Sequence, residues 1–219
     1  MEPQKSLLEF IPINRKEKYY TGTVLPMIVC RDNIRNISRI FKLAGIDVEG
    51  SFEELDDKDV IFYTEYSLKD SCVGCFDQSF LNTLEGIDKF SIPDILIGAR
   101  FKDRFYILAV EAKMFQKTSF VELSRQLKKQ LDTAISPVVQ CLKMYYGSSA
   151  EVIVEQCALL PEQMIDFNKI YGQTHMFKVI SWEDILTTFS DNNGCYFYRI
   201  LQRALEEYDD KISKKSLDI

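Results

Sequence analysis

The sequence has one histidine, His175, and lacks a glycine-rich loop of the kind that binds nucleotide phosphates. A lone histidine provides neither a catalytic triad nor a histidine-based metal site, because both need partner residues at matched positions. Without a phosphate-binding loop, the chain does not encode an NTP-driven motor. These absences exclude several common classes of enzyme.

Cysteine is also sparse, and long apolar runs are absent. Six cysteines in 219 residues are too few for a disulfide scaffold. Cys72 and Cys75 form a CxxC pair, but no second pair completes the four ligands of a structural zinc site, so we expect a loop with two thiols. No run reaches the roughly 20 apolar residues of a membrane helix. The first ten residues carry early charges, which predicts no signal peptide and a cytoplasmic protein with reduced thiols.

The overall composition is that of a globular chain, with 46% hydrophobic and 27% charged residues. No repeat, low-complexity segment or linker rich in proline, glycine and serine interrupts it, so we expect a single domain over 1–219. The net charge of -6 argues against a general nucleic-acid coat protein.

Charge is nevertheless unevenly distributed. Between Gly98 and Lys143 nine basic residues face four acidic ones, a net +5, so the rest of the chain carries -11. Such a basic zone on an acidic body could bind a polyanion at one place only. The simpler interpretation is that these are solvated lysines and arginines on helices and turns.

Hydrophobic periodicity predicts an α/β fold. We expect a helix within 24–46, a three-strand meander, a helix after the capping-box pair Ser119 and Glu122, and then another strand. Pro137 should kink or break that second helix. The strands are predicted at 60–68, 94–99, 105–113, 152–160 and 177–180, with helices after Ser181 and over 195–208. Early hairpins followed by a crossover indicate a mixed central sheet flanked by helices.

The residues that point to chemistry are Asp94, after Pro93, and the triplet Glu111-x-Lys113. If the hairpin turn is centred on 102–103, Asp94 lies directly opposite Glu111, and alternation places Lys113 on the same face. Opposed carboxylates repel, so they need a positive group between them, either Lys113 or a divalent cation. Carboxylate oxygens suit Mg²⁺, which also binds substrate phosphates.

The strand before Glu111 is almost wholly apolar, which predicts burial on both faces. Two acids and a lysine at the end of a buried strand are costly unless they are partnered. The alternative is an exposed hairpin end at which Glu111 and Lys113 form a salt bridge.

Pro93-Asp94, sixteen further residues and Glu111-x-Lys113 together resemble the motif of the PD-(D/E)xK nuclease superfamily, which has the restriction-endonuclease-like fold. The element order over about 24–160 resembles the αβββαβ core of that family, with the strand and helices of 176–210 added. The resemblance implies that Asp94 and Glu111 bind Mg²⁺, with Mn²⁺ able to substitute, and that Lys113 positions or activates the attacking water.

Two other features are similar to those of the family. Gln126 and Gln130 lie on one helix face at i, i+4, like the glutamine motif of RecB-type branches; the alternative is an ordinary polar face. The family often adds an upstream glutamate as a third metal ligand, on the first strand or the first helix. Because 24–46 contains no glutamate, we assign this role to Glu65, with Glu53 or Glu54 as substitutes.

The resemblance therefore implies a Mg²⁺-dependent nuclease that hydrolyses DNA, of a type that serves in defence against foreign DNA, in mobile elements or in recombination and repair. We expect a homodimer or a subunit of a larger complex, because the chain has no room for a large recognition domain. The alternative is a non-catalytic module that keeps the fold and binds DNA or a protein. DNA and RNA, and endo- and exonucleolytic cleavage, all fit these residues. The predicted phosphate contacts are Lys117, Arg125, Lys128 and Lys129.

Overall fold

The computed structural model describes residues 13–48, 55–67, 91–116, 118–167 and 177–215, and for 209–215 it describes the backbone alone. Several residues considered above lie outside this part of the chain: Glu53, Glu54, Cys72, Cys75, Lys117 and His175. Among the described residues, no helix combines the length and the apolar character needed to cross a membrane.

The N-terminal region is helical and packs against the sheet. Helix α1 (Glu17–Tyr19) continues through a π-helical turn (Tyr20–Val24) into α2 (Leu25–Val29). A 3₁₀ turn (Ile34–Asn36) then leads into α3 (Ile37–Leu43). The predicted single helix over 24–46 is thus wrong in where it begins and in being continuous. It begins seven positions earlier, and the chain leaves helical geometry after Val29 before it resumes.

Five strands form one mixed sheet in the order β1-β2-β3-β4-β5. Antiparallel pairing joins β1, β2 and β3, and parallel pairing joins β3, β4 and β5. The strands are β1 (Val60–Thr64), β2 (Ile95–Phe101), β3 (Arg104–Ala112), β4 (Glu151–Leu160) and β5 (Lys178–Ser181). The predicted α/β fold with a mixed sheet flanked by helices is confirmed.

Helices cover both faces of the sheet. Side chains alternate along β3, so that Leu108 packs with Tyr20 and Trp182 on one face, while Ile107 packs with Ile135 on the other. The first face is covered by the N-terminal helices and by α7 (Trp182–Thr188) and α8 (Tyr196–Lys215). The second is covered by the crossover helices α4 (Phe120–Gln130) and α5 (Ser136–Tyr146), together with α6 (Glu162–Phe167).

Pro137 neither ends nor breaks the crossover helix. A π-helical turn (Leu131–Ile135) follows α4, and α5 then begins with Pro137 in its first turn. The first turn of a helix has N–H groups without intrahelical partners, so a residue that lacks an N–H is accommodated there. The wider π-helical turn therefore takes the place of the expected break.

The hairpin β2–β3 has the predicted register. Phe101 pairs with Arg104 across a two-residue turn, and the ladder runs back to the pair of Ile95 and Val110. One step further, Asp94 stands opposite Glu111. By contrast, β1 is shorter than the predicted 60–68: it ends at Thr64, because Glu65 adopts a left-handed conformation with φ 51°.

Candidate active site

Glu111 and Lys113 stand at the carboxyl end of β3 and are buried, with 4% and 8% of their surface exposed. The Lys113 Nζ and Glu111 Oε1 atoms are 2.5 Å apart. Lys113 is also held by its backbone, since its N–H donates to Leu159 O and its carbonyl accepts from Trp182 Nε1. The alternative of an exposed hairpin end is therefore wrong: the Glu111–Lys113 salt bridge exists, but it lies in the interior of the protein.

Asp94 reaches the same place from the neighbouring strand. Its Oδ2 accepts a hydrogen bond of 2.8 Å from the Ala112 N–H, which lies between Glu111 and Lys113 in the chain. Burial, together with the negative charge of Glu111, raises the pKa of Asp94 to about 7. The hydrogen bond from Ala112 and the charge of Lys113 oppose this shift but do not cancel it.

A third acid, Glu17, comes from helix α1. Its Oε1 lies 3.4 Å from Lys113 Nζ, and its Oε2 accepts a hydrogen bond of 3.3 Å from the Met114 N–H. Burial raises the pKa of Glu17, although the nearby Lys113 lowers it. We therefore name Glu17, Asp94, Glu111 and Lys113 the acid–lysine cluster.

Glu17 is not among the predicted site residues, because the predicted first helix begins at residue 24. A signal was present upstream, since Tyr20, Val24 and Ile28 are spaced at i, i+4 and i+8 and all three are fully buried. A helix extended along that stripe includes Glu17 as a candidate upstream glutamate.

Lys113 remains a cation in this setting. Burial alone would lower its pKa, but the charge of Glu111, the hydrogen bond to Glu111 and the charges of Glu17 and Asp94 together raise the pKa of Lys113. Three acids surround one ammonium group, so the ionised cluster carries an excess of negative charge. A cation bound there would relieve that excess.

The donor atoms of the cluster fit Mg²⁺ better than a softer metal, because they are carboxylate oxygens. Within the described part of the chain, no three His, Cys, Asp or Glu side chains converge as a ready-made metal cage. A Mg²⁺ ion at this place would therefore be held by Asp94 and Glu111 and would complete its shell with water or phosphate oxygens, as Mg²⁺ commonly does.

Gln130 on α4 belongs to the same site. Its Nε2 donates to Glu111 Oε2 at 2.6 Å and to Ile92 O at 3.3 Å. The helix is positioned by its N-cap, where the Glu122 N–H donates to Ser119 Oγ. Gln126, one turn before Gln130, has a buried Oε1 with no hydrogen-bond partner among the described residues.

Glu65 lies beside the cluster but is oriented differently. Its backbone N–H donates to Asp94 O at 2.8 Å, whereas its carboxylate pairs with the exposed Lys18 at 2.9 Å. The structure thus brings Glu17, and not Glu65, into contact with Lys113.

The basic zone is smaller in three dimensions than in sequence. Arg100 pairs with Asp59 and Arg104 pairs with Glu151, so their charges are compensated locally. The cations on α4 remain exposed to solvent: Arg125, Lys128 and Lys129. They project from the helix that carries Gln126 and Gln130.

The acid–lysine cluster, Gln130 and the cations of α4 therefore lie on adjoining elements, around the point where β3 ends and the crossover begins. Comparisons with protein-family models, with curated proteins and with solved structures find no match to this chain.

Proposed function

We propose that this protein is a metal-dependent nuclease with a restriction-endonuclease-like core, and that it hydrolyses DNA phosphodiester bonds. The observation that carries the proposal is the acid–lysine cluster, in which Asp94 and Glu111 share one face of a hairpin beside the buried Lys113. Taking several charged groups out of water costs several kcal/mol per ion, which a purely structural role does not explain. The order of helix, meander, crossover and strand supports the proposal.

The proposed mechanism divides the work between the acids and the lysine. Mg²⁺ held by Asp94 and Glu111 would neutralise charge on the phosphate and lower the pKa of a bound water. Lys113 contributes a fixed positive charge near the attacking water and the developing phosphate charge. Because the pKa of Lys113 is raised, its ammonium group acts as an electrostatic stabiliser and does not take the proton of the water.

The remaining residues position these groups. Gln130 donates a hydrogen bond to Glu111 Oε2 and so fixes the orientation of the Glu111 carboxylate. Glu17 pairs with Lys113 as well, and we propose Glu17, in preference to Glu65, as the upstream acid of the site. Arg125, Lys128 and Lys129 would contact backbone phosphates without reading the sequence.

A second function is favoured by one specific observation. Lys113 already pairs with Glu111 and with Glu17, so much of the acidic charge is compensated without a metal. A non-catalytic module that keeps this fold and binds DNA or a partner protein would look the same in this respect. It would bind without cutting.

The two functions are separated by incubating the protein with plasmid, linear and single-stranded DNA in Mg²⁺, in Mn²⁺ and in EDTA. The nuclease proposal predicts cleavage with either metal and none in EDTA. Lys113→Ala should abolish cleavage but leave DNA binding within about twofold, whereas Lys42→Ala, at an exposed site on α3, should cleave normally. Melting curves would show that both variants are folded. Wild-type protein that binds DNA and never cleaves it supports the second function.

A further inference from the structure

A pair of tyrosines lies next to the acid–lysine cluster. Tyr63 on β1 and Tyr66 just after it stack with their ring centroids 5.6 Å apart and their planes only 8° from parallel. Tyr63 is 48% exposed, although it belongs to a strand of the central sheet. Tyr66 therefore supports the Tyr63 ring, and a large part of Tyr63 still faces solvent.

Strand register places Tyr63 on the face that carries the acids. Tyr63 pairs with Leu96, and Asp94 precedes Leu96 by two residues, so both point to the same side as Tyr63. Diagonal neighbours of this kind have their Cα atoms about 7–8 Å apart. The neighbouring side chains Ile61 and Tyr66 pack with Leu96 in one cluster, which agrees with this assignment of the face.

A cation lies at the same edge of the sheet. Lys18 extends from α1 into solvent and pairs with Glu65, the residue whose N–H bonds to Asp94 O. An aromatic platform and an ammonium group thus flank Asp94. Aromatic side chains combined with cations that follow the phosphates are the means by which proteins hold single-stranded nucleic acid.

We propose that Tyr63 stacks on an unpaired base one nucleotide from the scissile phosphate, so that the substrate is a single strand or an unpaired end. This inference deepens the proposed nuclease function and rests on it. In a duplex both faces of each internal base are already covered by neighbouring bases, so a platform this close to the reacting phosphate cannot use them. A single strand presents those faces freely.

Little side-chain entropy is lost when a base stacks on Tyr63. Tyr66 holds the Tyr63 ring in one orientation before any ligand arrives, so a base that stacks on it does not have to order the side chain. An isolated exposed tyrosine on an edge strand would need no special explanation. A stacked pair beside the buried Glu111 and the half-buried Asp94 does need one, and base stacking supplies it.

The test is binding of a fluorescent 12-nucleotide single strand, as DNA and as RNA, and of the blunt DNA duplex of the same length, all in EDTA. Base stacking contributes about 1–3 kcal/mol, so Tyr63→Leu should weaken single-strand binding by about 5- to 150-fold. Tyr63→Phe should keep wild-type affinity. Duplex binding should change less than twofold. Tyr145→Leu is the matched control, because Tyr145 is 84% exposed at the end of α5. It contacts Tyr146, which accepts a hydrogen bond from Arg100 at the end of β2 opposite to Asp94.

Because binding is measured without metal, its outcome is independent of catalysis. The inference is overturned if the wild-type protein binds neither single strand, if Tyr63→Leu weakens single strand and duplex equally, or if Tyr145→Leu has the same effect as Tyr63→Leu. Another outcome is that Tyr63→Leu selectively loses single-strand binding while the wild-type protein does not cleave with Mg²⁺ or Mn²⁺. That result would support the stacking site and refute the nuclease proposal.

Discussion

At the scale of a single residue, Asp94 is subject to opposing effects on its pKa. Its carboxylate accepts a hydrogen bond from Ala112, which favours the charged form, but burial and the adjacent Glu111 favour the neutral form and raise its pKa to about 7. In the unfolded chain the same carboxyl group ionises near its ordinary pKa of about 3.9. Folding therefore binds a proton at Asp94 between these two values.

This proton uptake predicts how stability depends on pH in the metal-free protein. Below about pH 4 the carboxyl is protonated in both states and has no effect. As the pH rises toward 7, the unfolded chain ionises first, so the free energy of unfolding falls, by up to about 4 kcal/mol in total. In EDTA, Asp94→Asn should melt several degrees above wild type at pH 8 and close to it at pH 4. An equal difference at both pH values would contradict the assigned pKa. Glu17, whose pKa is also raised, should leave a weaker residual slope in the variant.

Glu17 and Glu65 form a natural pair for a second prediction, because each carboxylate binds one lysine. Glu17 contacts the buried Lys113, and Glu65 contacts the exposed Lys18. Glu17→Gln should reduce Mg²⁺-dependent cleavage at least tenfold, or about 1.4 kcal/mol in barrier height, while Glu65→Gln should reduce it less than threefold. Single-turnover rates at saturating DNA measure both. The reverse order would restore Glu65 as the upstream acid.

The secondary-structure elements show which parts of the site sequence can predict. The hairpin could be placed because the polar turn at 102–103 and the alternation of side chains set its register, and this put Asp94 opposite Glu111. The helix with Gln130 could be placed because Ser119 caps it. Both features depend on residues close together in the chain.

Features that depend on distant contacts were not predictable in the same way. Glu17 meets Lys113 across 96 residues of sequence, and the apolar stripe of its helix indicates that helix but not the contact. The compensation of Arg100 by Asp59 and of Arg104 by Glu151 also required the fold. The sequence therefore placed Asp94 and Glu111 opposite each other on the hairpin, but it did not reveal the contact of Glu17 or the local pairing within the basic zone.

Helix α4 offers a test of how one element supports the site. Gln130 Nε2 donates to a buried Glu111 oxygen, whereas the Gln126 Oε1 has no such partner among the described residues. Gln130→Leu should lower the free energy of unfolding by about 1–3 kcal/mol, because a buried carboxylate loses a donor. Gln126→Leu should change it by less than 1 kcal/mol. Urea denaturation measures both, and a Gln126→Leu effect equal to that of Gln130→Leu would contradict this division of roles.

At the scale of the whole molecule, the sheet and its two helical layers converge on one charged site. Glu17 comes from the helices of one face, Gln130 from the crossover on the other, and Asp94 and Glu111 from the strands between them. The cluster therefore assembles only in the folded protein. A metal that binds it must stabilise the native state and not the unfolded chain.

The most direct measurement is the melting temperature of the wild type and of Asp94→Asn as Mg²⁺ is increased from zero to 10 mM. For a site with a Kd of about 1 mM, binding adds about 1.4 kcal/mol at 10 mM. For a chain of this length that corresponds to a rise of about 3–6 °C. We expect this rise in the wild type and its loss in Asp94→Asn. An equal rise in both proteins, or none in the wild type, would contradict a metal site shared by Asp94 and Glu111.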